Sequence, residues 1–422
     1  MIARLPGNPE QPRRVRGFSF SGGADSRLAV LLGIPLGILY VLGILSLRTK
    51  TPFTDEADHF GQIALFLRDR WQPWPSLTTI PGYHVVSALL LRLSGSASLD
   101  AARLIGAAWG LLAIAGFHAL RRQLWPGTQT LGTAQFALLP ILAPLYFLVY
   151  TDVAALALLL WASWAAVARR SWLSAMLLTL LVGVRQHEIV WIGLVAPLAV
   201  WSSSQVQPGS AVRIVMRYLL PAACFVAFWI WNGSISLSHE QSGLHPDLSL
   251  HAGNLFVAAL VAGLLLPLHA LAGFAAFIAR ARRAPWLALV PVALACAFWF
   301  GLRADNLYNT AFPSYYLHNG LVAVLEPRGA PRALAAGIFA VSCCGLAQMR
   351  LRPPVGWLLW PVAALFLGAS WLVELRYALV PLALWLALRE PMRARIEYAT
   401  LALWVLLAVW ICHATATHRL FL

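Results

Sequence analysis

The chain has 422 residues, of which 60% are hydrophobic and only 11% charged, with a formal net charge of +15 and a mean hydropathy of +0.72. This composition leaves no room for a separate soluble domain and is typical of a polytopic membrane protein. It also argues against nucleic-acid binding, because no patch of basic and aromatic residues stands on a soluble element.

The chain begins with a polar, basic stretch, residues 1–27, which we predict to be a cytoplasmic tail. Residues 28–422 then form a single transmembrane domain. Apolar runs that meet or approach the roughly 20 residues of a membrane-spanning helix recur along it. They fall at 28–47, 102–120, 131–150, 152–168, 172–184, 189–201, 214–231, 255–277, 286–302, 333–346, 355–373, 377–388 and 400–413. The sequence therefore predicts an all-α polytopic membrane protein with about 12 spans.

The charged residues between these runs are distributed unevenly. Arginines such as Arg121, Arg170, Arg283 and Arg393 fall in every second connection, whereas most acidic residues fall in the others. Basic residues near the ends of membrane spans favour the cytoplasmic side. This distribution predicts a cytoplasmic N-terminus and places the acidic connections outside.

The first outer loop is the longest, running over residues 48–100. It contains a short apolar run, 83–93, whose 11 residues reach only about 16 Å as a helix and do not cross a bilayer. Pro81 and Gly82 precede this run and are typical of a helix start. We therefore expect one or two interfacial helices in this loop.

Unusual polar residues converge on this outer side. They comprise the stretch TDEADHFGQ at 54–62, Asp152, the stretch RQHE at 185–188, a loop at 232–254 with His239, Glu240, His245 and Asp247, the stretch 303–318, and Glu374 with Arg376. Charges at membrane depth cost roughly 2.5–3.5 kcal/mol each on insertion scales and normally mark a pathway or a site. Asp55, Asp58 and His59 share a helical face that can hold a divalent metal, but we favour a metal-independent site without a cofactor.

The first of these stretches resembles the eukaryotic alpha-1,2-glucosyltransferases, members of the GT-C superfamily that add the last glucose to the lipid-linked oligosaccharide for N-glycosylation. That family carries the pattern Asp-Glu-x-x-His-x-x-Gln, which Asp55, Glu56, His59 and Gln62 match. The resemblance implies a GT-C-type bundle of transmembrane helices.

Further islands of resemblance follow in order, up to about residue 381. RQHEIVW at 185–191 is similar to the family's RQTNIVW, and later islands begin at Asn232, Ala304 and Glu374. The stretch between Leu237 and His251 departs from the family pattern, which affects the acceptor more than the reaction. The arginine-rich composition, with one lysine, resembles that of a high-GC bacterium. We therefore expect a bacterial inner membrane protein with its active site on the periplasmic face.

The resemblance implies transfer of a hexose, with glucose the first candidate, from a polyprenyl-phosphate sugar to a glycan or lipid-linked acceptor. An inverting transfer needs one general base. We assign this role to Asp55 first and to Glu56 second, because adjacent carboxylates on a helix point apart. Arg185 and Arg376 are candidates for phosphate binding, since a guanidinium holds phosphate oxygens bidentately. The remaining expected substrate-binding residues are His59, Gln62, Gln186, Asp305, Asn306 and Glu374.

Two other classes of protein fit the same polar residues. A transporter or flippase lines its pathway with intramembrane charges, but it is typically built from two similar halves, and the sequence shows no internal repeat. A protein that binds a lipid-linked sugar without catalysis needs the arginines but no base.

Overall fold

The computed structural model of the protein describes residues 22–46, 51–204, 211–238 and 249–422. Within these ranges it contains α-helices, short 3-10 helices and two isolated β-bridges. The predicted all-α polytopic fold is confirmed. Residues 1–21 of the predicted tail lie outside the described ranges, as do His239, Glu240, His245 and Asp247 of the 232–254 loop.

The α-helices of the described residues are, in chain order, α1 Gly22–Ser46, α2 Glu56–Leu67, α3 Gly82–Leu93, α4 Leu99–Leu124, α5 Gln129–Ala137, α6 Thr151–Val167, α7 Ser171–Val184, α8 Ile192–Ser204, α9 Ala211–Arg217, α10 Leu219–Asn232, α11 Gly253–Leu265, α12 Pro267–Ala281, α13 Leu289–Gly301, α14 Leu317–Leu325, α15 Ala330–Leu346, α16 Leu359–Gly368, α17 Leu379–Leu388 and α18 Ala394–Ala416. The 3-10 helices are Ala143–Phe147, Gln186–Trp191, Pro285–Ala288, Leu307–Thr310, Pro354–Leu358 and Leu375–Ala378.

Helices long and apolar enough to cross a membrane form a subset of these elements. In the described ranges they are 99–124, 211–232 and 394–416. Two further pairs, α11 with α12 and α14 with α15, reach this length only when each is counted as one bent span. Most of the remaining apolar helices are shorter. The protein is thus an integral membrane protein, and several predicted spans are built from short or bent segments.

Proline explains two of these interruptions. The predicted span 131–150 is not one helix: α5 ends at Ala137, and a 3-10 helix follows at Ala143–Phe147. Pro140 lies in the connection between them, and Pro144 lies in the first turn of the 3-10 helix. The predicted span 255–277 is bent by 101° where α11 meets α12, at Pro267. Proline lacks the backbone N–H and clashes with the preceding turn, so it ends or kinks a helix.

The first outer loop contains two helices, α2 and α3, as the sequence suggests. Helix α3 begins at Gly82, directly after Pro81. A Cβ atom at Gly82 would lie 2.4 Å from the carbonyl oxygen of Gly183 in α7. Only glycine permits this close approach, which holds the start of α3 against the end of α7.

Helix α6 lies at the centre of the described structure, because almost all of its residues are buried and it packs against α4, α7 and α8. Its first turn carries the buried Asp152. A second buried polar group links the helices elsewhere: Arg389 forms a bidentate ion pair with Glu397, and Gln135 binds the same carboxylate at 2.8 Å. Arg121 of α4 lies beside the ion pair of Arg389 with Glu397. Arg103, which also belongs to α4, is 18 residues earlier, about 27 Å away along the helix.

Candidate active site

A polar cavity of about 390 Å³ opens at the ends of several helices. Small-molecule sites in proteins usually measure roughly 300–1,000 Å³, so this space suits a sugar-sized ligand. The charged and histidine side chains that line it are Asp55, Asp58, His59, Asp152, Arg185, His318, Glu374 and Arg376. Most of them stand at a helix terminus, where a turn ends and the side chain faces open space.

Arg376 is the hub of this cavity. Its Nη2 atom lies 2.9 Å from Oδ2 of Asp55 and 2.6 Å from Oε1 of Glu374, and its Nη1 atom lies 3.8 Å from Oδ2 of Asp152. Three carboxylates from distant parts of the chain therefore share one guanidinium. Arg376 joins the first outer loop to the C-terminal third of the protein.

Arg185 forms the second cationic position of the cavity. It follows the last residue of α7 and is 8% exposed. Its Nη1 atom forms an ion pair with Oδ1 of Asp152, and its Nε atom lies 3.9 Å from Oε1 of Glu188. Asp152 thus lies between the two arginines.

Asp55 precedes the first turn of α2, but its side chain makes no capping hydrogen bond to that helix. Half of the side chain is exposed to the cavity, at 51%. Its enclosure opposes ionisation, but the charge of Arg376 outweighs that effect and holds the pKa of Asp55 below its ordinary value. Asp55 is therefore an ionised carboxylate at neutral pH and can accept a proton.

The backbone before Asp55 is held in an unusual conformation. Thr54 has a φ of 42°, which β-branched residues rarely adopt. Its Oγ1 atom lies 2.5 Å from the hydroxyl of Tyr150, and the ring of Tyr150 also carries the guanidinium of Arg376 at 5.2 Å. Tyr150 therefore supports both members of the Asp55–Arg376 ion pair.

His59 lies one turn after Asp55 and lines the cavity. Its Nδ1 atom is 3.0 Å from Nε2 of the fully buried His84. Burial lowers the pKa of His59, although the carboxylates of Asp55 and Asp152 act in the opposite direction. A neutral imidazole at this position can bind a sugar hydroxyl.

Glu56 does not line the cavity. It is fully buried, and its two oxygens accept hydrogen bonds from Nε and Nη2 of Arg103 at 2.9 and 2.6 Å. The backbone N–H groups of Phe53 and Val149 donate to the same carboxylate, each at 2.9 Å. With these donors its oxygens are occupied, so the geometry gives no support to Glu56 as the base.

Gln62 and Gln186 also lie behind the cavity lining, where each binds backbone groups. Gln62 accepts a hydrogen bond from the N–H of Trp74 and donates to the carbonyl of Gln72. Gln186 binds the backbone of residues 78, 80 and 235. The expectation that these two amides contact substrate directly therefore finds no support in the structure.

Asp305 and Asn306 lie away from the cavity as well. Asp305 is exposed and accepts a hydrogen bond from the indole N–H of Trp371 at 2.9 Å. Asn306 is fully buried and caps the 3-10 helix Leu307–Thr310 through a hydrogen bond from the N–H of Tyr308. Of the ten expected site residues, the cavity brings together Asp55, His59, Arg185, Glu374 and Arg376.

Several cavity residues were given no catalytic or substrate-binding role from the sequence, among them Asp152, Asp58 and Asn319. Asp152 was noted as an unusual acid but given no role, although an acidic residue opening a wholly apolar helix is a usable signal. Asp58 lines the cavity while its Oδ1 atom accepts from the indole of Trp74 at 3.0 Å. Asn319 gave no signal, since an asparagine near a loop is common.

Within the part of the chain that the structure describes, no group of three or more histidine, cysteine, aspartate or glutamate residues is placed to hold a metal ion. Asp55 pairs with Arg376 and Asp58 accepts from Trp74, so Asp55, Asp58 and His59 do not form the set considered from the sequence. Independence of metal stays a prediction.

Comparison with known proteins identifies relatives for the first half of the chain. Residues 49–211 match the DIE2/ALG10 family. The matched range contains Asp55, His59, Asp152 and Arg185, whereas Arg376 and its neighbours lie beyond it. The predicted resemblance to the alpha-1,2-glucosyltransferases is therefore confirmed over the part of the chain that contains Asp55 and Arg185.

The curated relatives carry one name, Dol-P-Glc:Glc(2)Man(9)GlcNAc(2)-PP-Dol alpha-1,2-glucosyltransferase. The protein from Candida glabrata is 25% identical over 50% of this chain and 47% of its own length. Those from Yarrowia lipolytica and Arabidopsis thaliana are each 30% identical, over 36% and 40% of this chain and 32% and 37% of their own lengths. The chain thus spans about half or less of the length of each relative.

Two solved structures are similar over a longer stretch. They are crystal structures of ArnT from Cupriavidus metallidurans, one bound to undecaprenyl phosphate and one in the apo state. Both align with 90% of this chain and 78% of their own at 14% identity, with TM-scores of 0.39 and 0.38.

Proposed function

We propose that this protein is an inverting membrane glycosyltransferase that moves a hexose from a polyprenyl-phosphate sugar to a glycan or lipid-linked acceptor. Glucose is the first candidate sugar, because the curated relatives are named for a Dol-P-Glc donor. The observation that carries the proposal is the ion pair of Asp55 with Arg376, with Arg185 in the same cavity. It supports the proposal because an ionised carboxylate then lies beside two guanidinium groups, which are suited to phosphate oxygens.

Asp55 acts as the general base. It takes the proton from the acceptor hydroxyl as that oxygen attacks the anomeric carbon of the donor sugar. The new glycosidic bond forms while the bond from the anomeric carbon to the phosphate oxygen breaks, and the configuration at that carbon inverts. The products are the glycosylated acceptor, polyprenyl phosphate and protonated Asp55.

Arg376 couples the proton transfer to departure of the phosphate. Before the reaction it pairs with the charged Asp55 and with Glu374. Protonation of Asp55 removes one negative partner, and cleavage adds one negative charge to the leaving phosphate. The guanidinium is then free to bind the phosphate oxygens, where a charge-assisted hydrogen bond is stronger than to a neutral acid. Charge stabilisation of this kind at the leaving group is a large contribution in transfer reactions.

Arg185 supplies the second contact to the phosphate, and Asp152 keeps both arginines oriented. His59, as a neutral imidazole, binds a sugar hydroxyl from the α2 side. Glu56 holds the start of α2 through Arg103 and so positions Asp55 without touching substrate. The reaction proceeds without a metal ion, because the two guanidinium groups provide the positive charge.

The lipid of the donor explains why the catalyst is embedded in a membrane. The bilayer holds the polyprenyl chain, and the cavity receives the sugar and phosphate at the membrane surface. From the arginine distribution we propose that the N-terminus is cytoplasmic and the cavity faces the periplasm of a bacterial inner membrane.

The test uses the purified protein in lipid nanodiscs with polyprenyl-phosphate glucose, mannose or galactose and a panel of alkyl glycosides as acceptors. The expected result is a new glycoside and free polyprenyl phosphate in equal amounts, with an anomeric configuration by NMR that is opposite to that of the donor. Retention of configuration would contradict the single-base mechanism. In closed vesicles that contain the protein, movement of the lipid-linked sugar across the bilayer without bond cleavage would favour a flippase.

A further inference from the structure

One wall of the cavity is formed by an irregular segment of the first outer loop. This segment runs over residues 72–80, between α2 and α3, and contains neither a helix nor a strand. Its residues Ser76, Leu77, Thr78 and Thr79 line the cavity together with Asp55, Arg185 and Arg376. A wall without regular structure needs other partners for its backbone groups.

Two glutamine side chains supply most of these partners. The Oε1 atom of Gln62 accepts from the N–H of Trp74 at 2.5 Å, and its Nε2 atom donates to the carbonyl of Gln72 at 3.2 Å. Gln186 accepts from the N–H of Ile80 at 3.0 Å and donates to the carbonyl of Thr78 at 2.7 Å. Each carboxamide thus bonds to the segment as a neighbouring strand would.

Residues 235–238, which follow α10, also bind this segment. The backbone N–H of Leu237 donates to the carbonyl of Thr78 at 2.9 Å, and the hydroxyl of Ser238 donates to the carbonyl of Pro75 at 2.5 Å. Gln186 also reaches these residues through the carbonyl of Ile235 at 2.6 Å. The segment is therefore fixed through its backbone, and the side chains of Ser76 and Thr78 take no part in holding it.

Three residues of this wall carry a hydroxyl group: Ser76 and Thr78, which are partly exposed, and Thr79, which is buried. Within the described residues, neither the hydroxyl of Ser76 nor that of Thr78 takes part in a hydrogen bond. A hydroxyl both donates and accepts a hydrogen bond, which matches the hydroxyl groups of a hexose. Such a pair distinguishes sugars by the positions of their hydroxyls.

We propose that Ser76 and Thr78 form a sugar-binding subsite of the cavity, and that Gln62 and Gln186 are positioning residues that act through this wall. The inference rests on the proposed glycosyltransferase function and adds the part of the site that selects the sugar. The bound sugar is the hexose of the donor or that of the acceptor. Both present the same hydroxyl chemistry, and the experiment separates them.

The decisive variant is Thr78→Val, which removes the hydroxyl but keeps the branched shape and the backbone bonds of the segment. Binding of polyprenyl-phosphate glucose and of polyprenyl phosphate is measured on the purified protein in nanodiscs without an acceptor. For a donor subsite, we expect the affinity for the sugar lipid to fall by about two- to tenfold, the range of one neutral hydrogen bond, with no change for polyprenyl phosphate. Thr78→Ser, which retains a hydroxyl, restores binding.

Thr179→Val is the matched control. Thr179 is also a partly buried threonine, but it lies in α7, outside the cavity lining, and its hydroxyl donates to the carbonyl of Ala175. We expect this variant to bind both lipids as the wild type does. If Thr78→Val leaves donor binding intact but slows transfer to alkyl glycosides, the subsite holds the acceptor sugar.

Gln186→Glu tests the positioning role, because a carboxylate cannot donate to the carbonyls of Thr78 and Ile235. If the glutamine acts through the wall, the double variant with Thr78→Val weakens sugar binding no more than the stronger single variant. Additive losses would show that Gln186 acts elsewhere.

Wild-type binding and transfer by Thr78→Val would overturn the inference and leave the proposed function standing. A wild-type protein that neither prefers the sugar lipid to polyprenyl phosphate nor transfers a hexose would overturn both.

Discussion

Replacing Glu56 with glutamine separates the roles of the two adjacent carboxylates in the first outer loop. Glu56 is fully buried and accepts four N–H groups, two from Arg103 and two from the backbone of Phe53 and Val149. Glutamine has the same shape but only one acceptor oxygen. One pair of these donors therefore faces an amide N–H₂ group, and the guanidinium of Arg103, itself 5% exposed, loses the charge of the Glu56 carboxylate.

The magnitude follows from these contacts. A hydrogen bond to a charged group contributes about 1.5–3 kcal/mol, and breaking a buried ion pair costs about 3–5 kcal/mol. We expect the free energy of unfolding to fall by about 3–5 kcal/mol, a figure that already includes the lost hydrogen bonds. Asp55→Asn, by contrast, alters a half-exposed side chain at the cavity and should leave the free energy of unfolding nearly unchanged.

The assay is thermal denaturation of the purified protein in detergent, followed by intrinsic tryptophan fluorescence, with turnover measured on the folded fraction. We expect Glu56→Gln to lower the midpoint by several degrees, while the folded fraction loses far less activity than Asp55→Asn does, because Glu56 positions Asp55 without touching substrate. The reasoning would be refuted if Glu56→Gln were as stable as the wild type but inactive, since Glu56 would then be the base.

Three further predictions concern Arg376, Tyr150 and Glu397. Because Arg376 holds the pKa of Asp55 below its ordinary value, kcat/KM should decrease only as the pH falls below about 4. In Arg376→Gln this decrease should begin at a higher pH, because the carboxylate has lost its positive neighbour. A decrease at an unchanged pH would contradict the coupling. Tyr150→Phe removes the hydroxyl that holds Thr54, so kcat should fall by about tenfold with little change in thermal stability, whereas an unaltered kcat would show that the strained backbone needs no such support. Glu397→Gln breaks a buried ion pair far from the cavity and should lower the denaturation midpoint without altering KM, and a change in KM would show that the two regions are coupled.

The sequence predicts the helical character of the protein and the convergence of its unusual charges. Asp55, His59, Arg185, Glu374 and Arg376 line one cavity, although more than 300 residues separate the first from the last. Their convergence was predictable because charges in an apolar chain are costly and collect where water or a ligand can reach them.

The sequence does not reveal which polar residues serve the fold. Glu56, Gln62, Gln186 and Asn306 have the same polar character as the cavity residues, but their partners are backbone groups and Arg103. Whether a side chain faces a ligand or an unpaired N–H group depends on tertiary contacts that a linear pattern does not contain. Hydropathy likewise does not show whether an apolar run is one continuous helix. The run that contains Pro140 and Pro144 is as apolar as a membrane-spanning helix, but the prolines interrupt it.

The different roles of Asp55 and Glu56 show what a sequence pattern predicts and what it leaves open. Neighbouring residues on a helix point in different directions, which predicts that only one carboxylate faces the substrate. Which one does so is decided by Arg103 and Arg376, contributed by other parts of the chain.

The most direct test of whether Asp55 is the general base compares two variants, Asp55→Asn and Asp69→Asn. The measurement is single-turnover transfer from polyprenyl-phosphate glucose. Both variants replace one aspartate with its neutral isostere, and Asp69 is an exposed residue paired with Arg92 outside the cavity. We expect Asp55→Asn to bind the donor but to lose at least about a hundredfold in the rate of transfer, while Asp69→Asn transfers at the wild-type rate. Transfer by Asp55→Asn at the wild-type rate would contradict the assignment of Asp55 as the base.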